Sequence, residues 1–197
     1  MVFGRQKDIP KEILKVKLGE WYSGLSDQNK IKIGRYLENS DTTSALNFTL
    51  SVMRRANQEE NNSMSIIIGE NILKDHLDEI EKFDVFEEII PAYYGVGRYE
   101  DCLKFCNEGV GILANNMDKI KKRNGGSLPE KIMCRNYTVN VLIGAYSDYD
   151  AADAALDKFY DMGIISKEDV EFRKQSHKVH KLQKSFDSIF TVRPKCP

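Results

Sequence analysis

Apolar residues in this chain recur at helical spacing almost everywhere, and in no segment longer than a few residues do they alternate as a strand requires. The clearest case is the stripe Leu103, Cys106, Val110, Leu113, Met117 and Ile120, which keeps a three-four spacing and predicts a helix of about twenty residues reaching Lys122. Its length predicts a central helix packed along its whole face. A chain made only of such segments must bury helix against helix. The spacing therefore predicts an all-α fold of about nine helices, arranged as stacked antiparallel pairs.

With 197 residues, 41% hydrophobic and 30% charged, one domain spanning 1–197 can close over a sizeable core. The formal net charge of −1 supplies no bulk attraction to nucleic acid or to a membrane. Charge is segregated instead. Residues 70–88 and 148–171 each carry eight acids against two lysines, whereas 173–195 holds seven basic residues, two histidines and only Asp187 against them. No run reaches the roughly 20 apolar residues of a membrane span, so no membrane partner is expected; the longest run, 63–69, suits a core. The first residues, MVFGRQKDIPKEILKVK, lack an apolar leader, and the expected location is cytoplasmic. The glycosylation-type triplets at Asn47, Asn61 and Asn136 then read as chance. Cys102, Cys106, Cys134 and Cys196 are scattered rather than spaced as a disulfide framework.

Along 8–82 four helices are expected. The first runs over 10–23 behind Asp8 as cap, with Pro10 in its first turn and Leu14, Leu18, Trp21 and Leu25 on one face. The second covers 27–37. Asp41 or Thr42 caps the third, which buries Ala45, Phe48, Thr49, Val52, Met53 and Ala56. After a polar break at 57–62, the fourth spans 63–82. Two hairpins fill 84–164. Asn124-Gly125-Gly126 stops the long helix, Ser127-Leu128-Pro129-Glu130 reads as a capping box opening a helix to about Tyr146, and Gly163 ends the helix that follows. Over 166–190 a capping helix starts at Ser166 and turns Val170, Val179, Leu182, Phe186 and Ile189 inward, and the tail 191–197 frays.

Ala92-Tyr93-Tyr94, the turn Gly97-Arg98-Tyr99-Glu100, and then Cys102, Phe105 and Gly109, following Phe86 and Ile89, resemble a tetratricopeptide repeat. Cys102 and Gly109 replace its usual alanines, Ile90 its usual glycine, and no proline closes the unit. Residues 137–164 resemble the sister pentatricopeptide repeat through Thr138, Asn140, Leu142-Ile143, Ala145, Ala155-Leu156, Phe159 and Met162. The landmarks Ala92 and Ala145 lie about fifty residues apart, against a repeat period of about 34. The likeness, over about sixty residues, implies helix pairs in an irregular stack rather than a regular array.

The tetratricopeptide resemblance implies a groove lined by first helices that binds a peptide or protein partner. Some members clamp a carboxylate there with Lys, Asn and Arg. Glu87, Pro91 and Tyr94 stand at those places and do not make such a clamp, but Glu87 and Tyr94 can face a partner. The pentatricopeptide resemblance implies RNA reading and puts Asn140 at the base-reading place. The partnering aspartate is missing, Ile165-Ser166-Lys167 standing there instead, and the neighbouring helix is acidic. Cys102 and Cys106, four apart, and His177 and His180, three apart, have two-plus-two zinc spacing, but the cysteines lie on the apolar stripe. The run from Lys121 to Gly126 lacks the Gly-Lys-Ser/Thr ending of a phosphate loop, and no motif ties a nucleophile to a histidine. Arg173, Lys174, Lys178, Lys181 and Lys184 form a basic face suited to phosphate, to an acidic partner, or to acidic residues of this chain such as 70–88. The expectation is a non-catalytic adaptor that binds a protein or peptide, with no cofactor and no metal. The rivals are nucleic-acid binding through the basic helix, and an enzyme without a recognisable motif.

Overall fold

The computed structural model describes residues 9–190, with side chains to 186. The Asp8 cap, the inward Ile189, the frayed tail and Cys196 lie outside the described residues and side chains. Eleven α-helices and one π turn account for the regular structure, and no strand occurs among the described residues. The fold is all-α. The chain divides into two compact units, Met1–Tyr137 and Thr138–Pro197.

The first unit opens with three short helices, α1 (Lys11–Lys15), α2 (Gly19–Ser23) and α3 (Asp27–Gly34). The single helix expected over 10–23 is broken, because Lys17 adopts a left-handed φ of 60°. That break changes the phase of the apolar face. Ile13, Val16, Leu18 and Tyr22 are buried, while Leu14 is 50% exposed. Ser44, rather than Asp41 or Thr42, caps α4 (Ala45–Gln58), its Oγ accepting from Asn47 N at 3.0 Å. The face of α4 is the expected one, with Phe48, Thr49, Val52, Met53 and Ala56 buried.

The helix expected over 63–82 is likewise two, α5 (Asn62–Ile72) and α6 (Glu79–Gly95). Asp78 starts α6 with a capping box: its carboxylate accepts from Glu81 N at 2.8 Å, and Glu81 accepts from Asp78 N at 2.9 Å. α7 (Tyr99–Asn115) and α8 (Met117–Arg123) form the long stripe, interrupted at Asn116. The Asn116 amide donates to Ile112 O at 3.1 Å and to Glu79 at 2.6 Å, so a side chain competes with the helix ladder at the break. Cys106, Val110, Leu113 and Ile120 are buried as the stripe requires.

The pairs α4/α5 and α6/α7 are joined by short turns and stack, with α4 also touching α6. Gly97, at φ 75°, ends α6 and lets Arg98 N bond back to Tyr93 O at 2.9 Å. Close approach of α5 depends on Gly69. A Cβ there would lie 2.8 Å from Ile89 Cδ1 and 2.9 Å from Met53 Cε. The next helix, α9 (Met133–Asn140), begins later than the 127–130 box predicts, and no helix covers that box.

In the second unit a π turn, Val141–Ala145, follows α9, and α10 (Tyr149–Asp161) pairs with α11 (Lys167–Phe190). Ser166 caps α11 as expected, accepting from Asp169 N at 3.1 Å. Val170 is buried, but Val179, Leu182 and Phe186 are exposed, contrary to their expected inward placement. The side buried instead carries Val170 and His177. Among the described residues no helix is long and apolar enough to cross a membrane.

Candidate functional site

Glu87 and Tyr94 both lie on α6, a first helix of its pair, as the groove reading requires. The structure commits both to internal contacts. The Glu87 carboxylate accepts from Met133 N at 2.6 Å and Cys134 N at 2.8 Å, capping the first two amides of α9. This contact starts α9 where the 127–130 box does not. Burial pushes the Glu87 carboxyl above its ordinary range, and the two amides offset that only in part. Burial, and then the Glu87 charge beside it, push the Cys134 thiol up. Tyr94 packs edge-on against Tyr99 and Tyr137, at ring-centroid distances of 5.5 and 5.0 Å. A depression of about 320 Å³ remains on this face beside Pro91. Its acid Glu88 is held by Arg54 at 2.7 Å, and Asn57 donates to the Glu88 carbonyl at 2.8 Å. Asn140 is exposed in the second unit.

A larger cleft, about 460 Å³, opens among α5, α6 and α7. Its floor is aromatic. Phe105 stacks on Tyr93 at 5.2 Å and 14°, and meets Phe86 at 5.0 Å and 60°. One wall is a fixed polar network: Tyr93 Oη donates to Glu70 at 2.6 Å, Arg98 lies 4.6 Å over the Tyr93 ring, and Arg98 Nε bonds Asp101 at 2.7 Å. Burial, then the Glu70 contact, raise the Tyr93 hydroxyl. Lys74, Lys82 and Lys104 line the cleft with no ion pair among the described residues. The arrangement can take an apolar side chain on the floor and carboxylates at the lysines. No motif in the sequence marks these residues as a site. Lys74 and Lys82 are the two lysines of the acidic stretch 70–88, and Arg98 belongs to the Gly-Arg-Tyr turn.

The basic candidates of α11 face α10. Lys174 pairs with Asp157 at 2.6 Å, Lys181 with Asp150 at 3.6 Å, and Lys184 donates to Ser147 at 2.6 Å. Arg173 and Lys178 have no ion pair among the described residues. His177 Nδ1 lies 2.7 Å from Asp153, and His180 Nδ1 lies 2.9 Å from Tyr149 Oη. Cys102 and Cys106 are buried, and Cys102 Sγ donates to Ile90 O at 3.7 Å. No group of three or more His, Cys, Asp or Glu placed to hold a metal ion occurs among the described residues.

Comparison with known proteins adds no relative: no family model, no curated protein and no solved structure matches the chain.

Proposed function

We propose that this chain is a non-catalytic protein-interaction scaffold of the kind the tetratricopeptide resemblance implies, and that its partner docks in the α5–α6–α7 cleft. One observation carries the reading: an aromatic floor of Phe86, Tyr93 and Phe105 is bordered by Lys74, Lys82 and Lys104, which have no carboxylate of their own among the described residues. The partner is a peptide segment with an apolar side chain next to Asp or Glu. The face carrying Glu87 and Tyr94 is less suited, since both side chains are engaged within the first unit. Nucleic-acid binding through α11 has less support, because three of its five basic candidates bond to groups in or beside α10. A cytoplasmic location belongs to the same proposal.

The test is binding of fluorescent peptides that carry Phe or Leu among acidic residues, against the same peptides with lysines in place of the acids. The acidic set binds with an affinity that falls as salt rises. The double change Lys82→Glu with Lys104→Glu weakens it about tenfold, as two reversed contacts at a half-exposed rim would. Equal binding of both sets, or an unaffected double variant, would sink the proposal.

A further inference from the structure

The α5–α6–α7 cleft sets a cation beside the most open ring of its floor. Phe105 is half-buried, whereas Tyr93 and Phe86, packed against it, are buried. Lys104 Nζ lies 5.9 Å from the centre of the Phe105 ring. Lys74, just after α5, and Lys82 of α6 border the same cavity. Two carboxylates of the lining are already engaged: Glu70 accepts from Tyr93 Oη at 2.6 Å, and Asp101 accepts from Arg98 Nε at 2.7 Å. Glu108 is the one acid of the lining with no hydrogen bond or ion pair among the described residues. Three ammoniums against that carboxylate leave an excess of two positive charges. One carboxylate of a partner matches half of it. A phosphate monoester, at about −1.5 to −2 near neutral pH, matches nearly all of it.

Geometry narrows the occupant further. Consecutive side chains of an extended peptide point to opposite faces, and those of a helix stand about 100° apart. An apolar residue and the acid next to it therefore fit one cavity of about 460 Å³ less well than a single side chain that carries both ring and anion. A ring laid on the outer face of Phe105 extends the Phe105–Tyr93 stack and brings its anion to Lys104. On the reading that a peptide docks in this cleft, we infer that the residue it takes is a phosphotyrosine, so that phosphorylation of the partner switches docking on. Phosphoserine brings the charge without the ring, and tyrosine brings the ring without the charge.

Fluorescence anisotropy of the full chain tests this with three labelled peptides of one acidic sequence that carry tyrosine, phosphotyrosine or phosphoserine at a single position. Phosphotyrosine binds about tenfold or more tighter than tyrosine, and phosphoserine gains at most about threefold. Lys74→Gln with Lys104→Gln, at two exposed positions, removes most of the phosphotyrosine advantage while the melting of the chain persists. Should that double variant disturb folding, phenyl phosphate decides on the wild-type chain. It displaces the phosphotyrosine peptide where inorganic phosphate at the same concentration does not, and failure to displace overturns the inference. Equal binding of the tyrosine and phosphotyrosine peptides also overturns it and leaves the docking cleft standing. So does a gain from phosphoserine as large as that from phosphotyrosine, or an advantage that survives in a folded double variant. If none of the three peptides binds, docking in the cleft falls together with the inference.

Discussion

Removing the Glu87 carboxylate tests whether a side chain from α6 starts α9. Glu87→Ala leaves Met133 N and Cys134 N without their acceptor, at a part-buried site. A hydrogen bond to a charged acceptor is worth about 1.5–3 kcal/mol, and partial rehydration of the exposed turn returns some of it, so the net loss is about 2 kcal/mol. For a chain of this size that lowers Tm by roughly 4–8 °C. Glu87→Gln keeps one acceptor oxygen and removes a buried charge, so it costs only about 0.5–1 kcal/mol at neutral pH. The pH dependence has a definite sign. Burial raises the Glu87 carboxyl above its ordinary 4.5 in the folded chain. In the window just above that value the folded chain keeps a proton that the unfolded chain has released, so this group adds stability as pH falls and subtracts it as pH rises. The gap between wild type and Glu87→Gln therefore widens on acidification from neutral toward about pH 5. Urea unfolding at several pH values measures the gap, and amide exchange at Met133 and Cys134 reports the fraying. An Ala variant within about 0.5 kcal/mol of wild type, or a gap that narrows on acidification, refutes the capping role.

Two further substitutions probe the packing of the first unit. Gly69→Ala drives a Cβ to within 2.8 Å of Ile89 Cδ1 and 2.9 Å of Met53 Cε. Overpacking of about 1–3 kcal/mol, less up to about 1 from the better helix former, gives a net loss of about 1 kcal/mol in urea unfolding, and Gly69→Val costs more. Asp78→Ala removes one half of the α6 capping box and lowers stability by about 1 kcal/mol, with the excess amide exchange confined to Glu79, Ile80 and Glu81.

Fold class was legible because burial follows the period through α4 and along α7 and α8. The face of α4 and the stripe from Cys106 to Ile120 both stand where their spacing puts them. Boundaries were less legible, for physical reasons that differ from place to place. Asp78 and Glu81 are a capping box written plainly in the sequence, yet the apolar residues on either side keep a common phase and hide the break. The box at 127–130 has the right residue types, but the first amides of α9 are taken by Glu87, 46 and 47 residues earlier in the chain, and no local pattern reports such a contact. The α5–α6–α7 cleft was hidden for the same reason. Its floor joins Phe86 and Tyr93 of α6 to Phe105 of α7, residues that a periodicity reading assigns to the core.

The last helix shows why period alone does not say which way a helix faces. In α11 the most apolar side by composition is the exposed one, and the side toward α10 carries the buried Val170 and His177 and the half-buried Lys174. What decides between the faces is the neighbour. α10 presents Asp150, Asp153 and Asp157, and in α11 Lys181, His177 and Lys174 recur at the matching three-four spacing. Turning Phe172, Val179 and Phe186 toward α10 would set apolar rings against those three carboxylates and strip water from them without compensation. The charge ladder therefore orients the helix, and the apolar stripe is left on the outside as a consequence. Lys174→Glu and Lys181→Glu together remove that orienting force. Loss of α10–α11 pairing in the double variant, seen as reduced helicity in the second unit, follows if the lysine pairs set the orientation; unchanged helicity would mean that Val170 and the histidine contacts to Asp153 and Tyr149 hold it.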